Sequence, residues 1–219
     1  MSASSDRLFS NRKRRDQGLK QNAPPREVLP TVLIFCEGAT EVGYINSLCK
    51  DNSQLTVHAY SLKGKVDSVL EIIQKKIDDY FRDTELLEVH VVFDRDDHCS
   101  FNKIINALSA FRYEEKGLTI YVSYPCFEHW VLQHYEDSNP VFTKCKDLVK
   151  VIKKIPELKN YVKGEKKINL YEILKDKTDT AIKRSKIGDR IAKKEEAVFN
   201  ATPSMNQFYK LVDRLLKLN

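Results

Sequence analysis

The chain has 219 residues, of which 42% are hydrophobic and 31% are charged, a composition that fits a globular protein and excludes a disordered or fibrous one. No apolar run approaches the ~20 residues that a membrane-spanning helix needs, and the amino-terminal segment lacks the apolar stretch of a secretory signal. We therefore expect a cytoplasmic protein with no membrane partner.

The net charge of +6 is distributed unevenly along the chain. Residues 1–26 carry +5, residues 27–143 carry −9 and residues 144–196 carry +8. This pattern predicts a polyanionic partner, held by basic ends and processed by an acidic centre. Lysine-rich helices that simply keep a solvated face explain the same pattern, and that alternative stays open here.

The first segment, residues 1–27, is interpreted as a basic flexible arm, because little in it can be buried. Its basic cluster consists of Arg12, Lys13, Arg14 and Arg15. We expect these four side chains to contact nucleic-acid phosphates, with a solubilising leader as the alternative.

The middle of the chain alternates apolar runs with segments of helical periodicity. The predicted strands are 31–38 ("TVLIFCEG"), 54–64, 88–93 and 118–125, and the predicted helices are 39–52, 66–85 and 101–117, the last closed by Gly117. Thr40 is the expected N-cap of the first helix. This alternation predicts βαβ units, and therefore an α/β fold with a mainly parallel sheet flanked by helices.

After Pro125 the pattern becomes helical and basic. Helices are predicted at 127–136, 144–155, 169–198 and 204–218. We accordingly predict three parts: the arm 1–27, an α/β core 28–138, and a helical carboxyl-terminal extension 139–219 that packs on the core.

Acidic residues follow two of the predicted strands. Glu37 and Glu41 flank the turn after the first strand, and Asp94 and Asp96 end the third. Carboxyl ends of parallel strands meet at one edge of a sheet, where α/β proteins place their sites. Four ionised carboxylates there require a strong positive charge between them, and Mg²⁺ prefers oxygen ligands. The alternative is that the glutamates only complement a helix N-terminus while "DRDDH" is a solvated turn.

The five cysteines are scattered and contain no C-x-x-C pair, so we predict neither a disulfide framework nor a zinc ribbon. Cys126, His129 and His134 lie at short spacings, but a fourth zinc ligand is not evident. A plain helix face is the preferred interpretation of that segment.

These residues carry a family resemblance. Glu37-Gly38 after an apolar strand, with "DRD" after a later one, resembles the Toprim domain of topoisomerases, primases and OLD-type nucleases. The order of "CEGATE", "FDRDDHCSF", "YPCFEHWVLQHYE", "YVKG" and "TPSMNQFYKLVDRL" resembles the RloB family, including AbiLii-type abortive-infection proteins, over most of residues 30–218. Tyr124 stands where that family tends to carry Asn.

The resemblance implies a Toprim-like fold and metal-dependent cleavage of DNA or RNA in anti-phage defence, beside a partner ABC or OLD-like ATPase. It implies one or two Mg²⁺ or Mn²⁺ ions. Carried over by position, Glu37 is the expected general acid or base, and Lys163 is expected to stabilise charge on the phosphate, with a solvated lysine as the alternative. The expected metal ligands are Glu41, Asp94, Asp96 and Glu128; for Glu128 the alternatives are that it holds a ligating water or only complements the start of a helix. The competing hypothesis is a non-catalytic nucleic-acid-binding or sensor subunit.

Overall fold

The computed structural model describes residues 29–62, 68–81, 85–95, 101–136, 141–165, 168–199 and 205–218. Its strands are β1 (Thr31–Cys36), β2 (Thr56–Ser61), β3 (Leu86–Asp94), β4 (Arg112–Tyr113), β5 (Lys116–Gly117), β6 (Thr119–Tyr124) and β7 (Met205–Asn206). Its helices are α1 (Ala39–Leu48), α2 (Val69–Phe81), α3 (Phe101–Ala110), α4 (Glu128–Gln133), α5 (Cys145–Ile152), α6 (Leu170–Leu174), α7 (Thr178–Phe199) and α8 (Phe208–Lys217). Single 3-10 turns lie at Pro156–Leu158 and Lys175–Lys177.

The main sheet has the strand order β2-β1-β3-β6-β7. The first four strands run parallel, and β7 pairs antiparallel with the end of β6. This confirms the predicted α/β class with a central parallel sheet between helices, an arrangement consistent with a Toprim-like fold.

Helices cover both faces of the sheet, as the apolar strands require. All six residues of β1 are buried, and alternate side chains face opposite ways. Ile34 belongs to the same buried cluster as Tyr44 of α1 and Trp130 of α4, whereas Phe35 belongs to the cluster on the other face that contains Ile73 of α2. The central strands are therefore stabilised from both sides, which explains their uninterrupted apolar sequences.

The chain reverses its winding direction between β1 and β3. Helix α1, which follows β1, lies on one face of the sheet, and α3, which follows β3, lies on the other. The connection after β1 leads to β2 on one side, and the connection after β3 leads to β6 on the other. A crevice therefore opens between them at the carboxyl ends of β1 and β3. Glu37 directly follows β1, Glu41 lies in the first turn of α1, and Asp94 is the last residue of β3.

Three predicted elements were wrong in extent. Helix α3 ends at Ala110, and the residues expected to continue it form the β4–β5 hairpin. Glu114 and Glu115 turn this hairpin with φ values of 40° and 63°, although such two-residue turns usually contain Asn or Gly. The long helix expected over 169–198 is divided into α6, a 3-10 turn and α7, and β7 precedes α8.

The carboxyl-terminal residues share the core of the sheet. Leu211 and Val212 of α8 are buried in the same apolar cluster as Val32 of β1. The predicted division at residue 138 remains a prediction. Among the residues that the structure describes, none belongs to a helix with the length and apolar character needed to cross a bilayer.

Candidate active site

The carboxyl ends of β1 and β3 lie side by side. Cys36 pairs with Val92 in the parallel register, and the Glu37 backbone N–H donates to the Val92 carbonyl at 3.1 Å. The Asp94 backbone N–H in turn donates to Glu37 Oε2 at 3.0 Å. The structure thus brings Glu37 and Asp94 together across neighbouring strand ends.

Asp94 is 3% exposed, and both of its carboxylate oxygens have partners. Oδ1 accepts a hydrogen bond from the Phe127 backbone N–H at 2.9 Å, and Oδ2 accepts one from Lys163 Nζ at 3.4 Å. Burial raises the pKa of Asp94 well above its usual value; the Glu41 carboxylate raises it further, while Lys163 lowers it. The charge on Asp94 therefore needs cationic compensation.

Glu41 is a buried carboxylate whose negative charge is poorly compensated by its surroundings. It is 1% exposed, and neither of its oxygens receives a hydrogen bond from another residue in the described ranges. Burial is the main reason that its pKa rises to about 7, and the Glu128 and Glu37 carboxylates add to the rise. Leaving a buried carboxylate this poorly compensated is costly unless a ligand completes the site.

Gly38, the N-cap of α1, gives this carboxylate its space. A Cβ atom at Gly38 would lie 2.5 Å from Glu41 Oε2. Since the backbone there is extended, with φ of −109°, the absence of a side chain serves the carboxylate and not the backbone conformation.

Glu128 is fully buried at the start of α4. Its Oε1 accepts a hydrogen bond from the Tyr161 hydroxyl at 2.8 Å, and its Oε2 lies 3.4 Å from Lys163 Nζ and 3.3 Å from Cys145 Sγ. Burial raises the pKa of Tyr161, and the charge of Glu128 and the hydrogen bond to it raise it further, so the phenol remains a donor. Glu128 therefore joins the carboxylates from the strand ends, with its orientation fixed from two sides.

Lys163 bridges two of the buried carboxylates. Its Nζ lies 3.4 Å from both Asp94 Oδ2 and Glu128 Oε2, while its side chain is 39% exposed. The segment that carries it is fixed to α1, because the Gly164 backbone N–H donates to Thr40 Oγ1 at 2.9 Å. Thr40 is thus an anchor for this loop, and the prediction that it caps α1 was wrong.

Cys126 and Cys145 form a disulfide, with their Cα atoms 5.8 Å apart. This corrects the expectation of no disulfide. The pair joins the segment after β6 to the first residue of α5, two elements whose packing cannot be read from local sequence patterns. The zinc alternative is also contradicted, since Cys126, His129 and His134 do not form a compact ligand group within the described residues.

The donor set partly fits the implied Mg²⁺. Carboxylate oxygens are its preferred ligands, and Glu41 offers two buried oxygens that accept no hydrogen bond from any other described residue. A compact metal site needs at least three ligand atoms close together. Among the described residues, however, only one group of three acidic, Cys or His side chains has ligand atoms all within 4.8 Å of one another, and it consists of Cys126, Glu128 and Cys145. This group could hold a metal ion, but two of its members are joined by the disulfide.

Five of the predicted site residues fall outside the described residues. They are Asp96 and the basic cluster Arg12, Lys13, Arg14 and Arg15. Conversely, sequence reasoning missed Tyr161, Thr40 as an anchor, and Cys145. Tyr161 begins the "YVKG" motif that supplied Lys163, so the motif itself was the available signal.

Comparison with known proteins identifies the family. A family model described as RloB-like protein matches residues 32–215. The chain belongs to the RloB-like family. Membership of this family suggests a defence-related role. Neither the curated proteins nor the solved structures contain a match to this RloB-like chain.

Proposed function

We propose that this RloB-like protein is a Mg²⁺- or Mn²⁺-dependent nuclease that cleaves phosphodiester bonds of DNA or RNA in anti-phage defence. The observation that carries the proposal is the poorly compensated buried carboxylate of Glu41, which interacts electrostatically with the carboxylates of Asp94, Glu37 and Glu128 near the ends of β1 and β3. Such a cluster at the winding reversal of an α/β sheet is suited to bind a hard cation and a phosphate together.

Glu41 and Asp94 would hold the first ion, with Asp96 and Glu128 as further ligands and one or two ions in all. When bound, the metal neutralises phosphate charge and lowers the pKa of a coordinated water. Asp94 is held for this role by the Phe127 backbone N–H, and Glu128 by the Tyr161 hydroxyl. These hydrogen bonds fix the orientation of each carboxylate before any ligand arrives.

Glu37 is the proposed general base. It is the least buried of the four described carboxylates, so water reaches it more easily than it reaches Glu41, Asp94 or Glu128. Its Oε2 accepts the Asp94 backbone N–H, which holds the side chain at the edge of the site. A carboxylate positioned in this way can remove a proton from an attacking water.

Lys163 is the proposed phosphate-binding cation. Its ammonium group already lies between Asp94 and Glu128, and its partly exposed side chain extends from a loop. On substrate binding it can donate to a phosphate oxygen and stabilise the negative charge that develops there.

The proposed partners are nucleic acid and a separate ABC or OLD-like ATPase. The basic cluster at residues 12–15 would contact phosphates, an interaction that requires no base sequence. The chain has no G-x-x-x-x-G-K-[ST] motif, so nucleotide-dependent control would come from the partner ATPase.

The test is cleavage of supercoiled plasmid, single-stranded DNA and tRNA with Mg²⁺ or Mn²⁺, with EDTA as the metal-free control. Glu37→Gln and Asp94→Asn are each expected to lower the cleavage rate by about 100-fold or more. Glu71→Gln, an exposed carboxylate on α2, is the matched control and should cleave like the wild type.

Two results would overturn the proposal. If the wild type binds these substrates but cuts none of them with either metal, alone or with its ATPase, the chain is a binding or sensor subunit. Cleavage that persists unchanged in both Glu37→Gln and Asp94→Asn would remove this site from the chemistry.

A further inference from the structure

The disulfide lies directly against Glu128. Cys126 is fully buried in the segment between β6 and α4, and Cys145 begins α5. One ligand atom from each of Cys126, Glu128 and Cys145 lies within 4.8 Å of the other two. Two sulfurs and one carboxylate oxygen at this spacing are a donor set different from the oxygen-only set proposed for Mg²⁺.

The ammonium group of Lys163 already lies next to this group of donor atoms. Lys163 Nζ is 3.3 Å from Cys145 Sγ and 3.4 Å from Glu128 Oε2. The surroundings therefore accept a positive charge at this point. Because the Lys163 side chain is 39% exposed, it has a route by which to leave.

Reduction changes what the two sulfurs can do. With an external dithiol as the reductant, the S–S bond breaks, the two sulfurs take up two electrons and two protons, and the dithiol is oxidised to its own disulfide. Each free cysteine then becomes a thiol that can lose its proton to a metal. Sulfur ligands favour Zn²⁺, and a Zn²⁺ site with three protein ligands takes a water molecule as its fourth ligand.

We infer that the reduced protein binds one Zn²⁺ ion through Cys126, Cys145 and Glu128, and that the disulfide prevents this binding. The two thiols release their protons to solvent as the metal binds, and the Lys163 ammonium moves out of the site because like charges repel. This inference does not rest on nuclease activity.

The experiment uses the full chain, stripped of metal, in an oxidised sample and in a sample reduced by a phosphine and kept anaerobic. Alkylation before and after reduction establishes the state of the cysteines, and Zn²⁺ affinity is measured by competition with a chromophoric chelator. We expect one tight Zn²⁺ equivalent in the reduced sample only. Co²⁺ added to reduced wild type should give a thiolate-to-cobalt charge-transfer band, a readout that requires no variant.

Variants assign the ligands. Removal of a group that only hydrogen-bonds to a metal ligand lowers metal affinity by about 10- to 100-fold. Loss of a direct ligand in Cys126→Ser or Cys145→Ser should therefore lower the Zn²⁺ affinity by at least about 100-fold. Glu128→Gln keeps both thiols and should also weaken binding. Cys49, the C-cap residue of α1, is a free cysteine. Cys49→Ser is therefore the matched control and should bind Zn²⁺ as tightly as the wild type does.

Three outcomes would overturn the inference. The first is that reduced wild type binds Zn²⁺ no more tightly than oxidised wild type. The second is that Cys49→Ser loses as much affinity as Cys126→Ser. The third is that Co²⁺ bound to the reduced protein gives no thiolate band. Because none of these measurements involves nucleic acid, their failure is distinguishable from failure of the nuclease proposal.

Discussion

At the scale of single residues, the site depends on one carboxylate that folding places in an unfavourable environment. Glu41 is buried among like charges, and Gly38 leaves the space in which its carboxylate lies. Burial and neighbouring acids both favour the protonated form, so the metal-free protein stores a free-energy cost that a bound cation would relieve.

The pH dependence of stability tests this cost. The pKa of Glu41 rises from 4.5 to about 7 on folding, so the folded protein retains a proton that the unfolded chain releases between these values. In EDTA, the free energy of unfolding should therefore fall as pH rises from 4.5 to 7, by about 3 kcal/mol for a shift of this size.

Glu41→Gln provides the comparison for that experiment. The glutamine side chain cannot ionise, so the free energy of unfolding of the variant should fall less steeply with rising pH than that of the wild type. At pH 8 the variant should be the more stable of the two, as measured by chemical denaturation. The slope that remains reports Asp94, whose pKa is also raised. Equal stability of variant and wild type at pH 8 would contradict the argument.

Two glycines of the same region give a second residue-scale prediction. Gly38→Ala places a Cβ atom 2.5 Å from Glu41 Oε2, whereas Gly43→Ala on α1 meets nothing within 4 Å. Gly43→Ala should stabilise the helix by about 0.5–1 kcal/mol. Gly38→Ala should instead displace the Glu41 carboxylate and weaken Mn²⁺ binding, measured by electron paramagnetic resonance. Unchanged Mn²⁺ affinity in Gly38→Ala would argue against Glu41 as a ligand.

At the scale of elements, the loop that carries Tyr161 and Lys163 connects the site to α1. Tyr161 and Lys163 contact Glu128, Lys163 contacts Asp94, and Gly164 is anchored on Thr40. One loop thus controls the orientation of two carboxylates that come from separate elements.

Removal of the anchor tests this coupling. Thr40→Val keeps the side-chain shape but removes the acceptor for the Gly164 N–H, at a cost of about 1–3 kcal/mol. Amide hydrogen exchange should accelerate at 161–164, while exchange in β1 serves as the internal control. Unchanged exchange at 161–164 would mean that other contacts hold the loop.

At the scale of the whole molecule, the basic stretches 1–26 and 144–196 flank the acidic stretch 27–143 in the sequence. Each neutralised phosphate contributes to the salt dependence of binding, so the contribution of the basic cluster at residues 12–15 can be measured from that dependence. Counterion release also explains why such binding would be independent of base sequence.

Replacement of Arg12, Lys13, Arg14 and Arg15 by alanine should reduce the slope of log K against log salt by up to about 3 to 4 for duplex DNA, measured by fluorescence anisotropy. Lysine at the three arginine positions preserves charge and should leave the slope unchanged. An unaltered slope in the alanine variant would assign nucleic-acid contacts to other parts of the chain.

The sequence alone determined the alternation of strands and helices, the position of Glu37 and Asp94 at strand ends and that of Glu41 in the first turn of the helix after β1, because periodicity and strand termination are local properties. It did not reveal the β4–β5 hairpin, since Glu114-Glu115 carries no turn signal.

Only the tertiary structure decided what surrounds the carboxylates. Lys163 meets Asp94 across 69 residues, and Tyr161 meets Glu128 across 33. Cys126 meets Cys145 across 19. Such contacts depend on how loops and helices pack on the sheet, and no local pattern of residues specifies that packing.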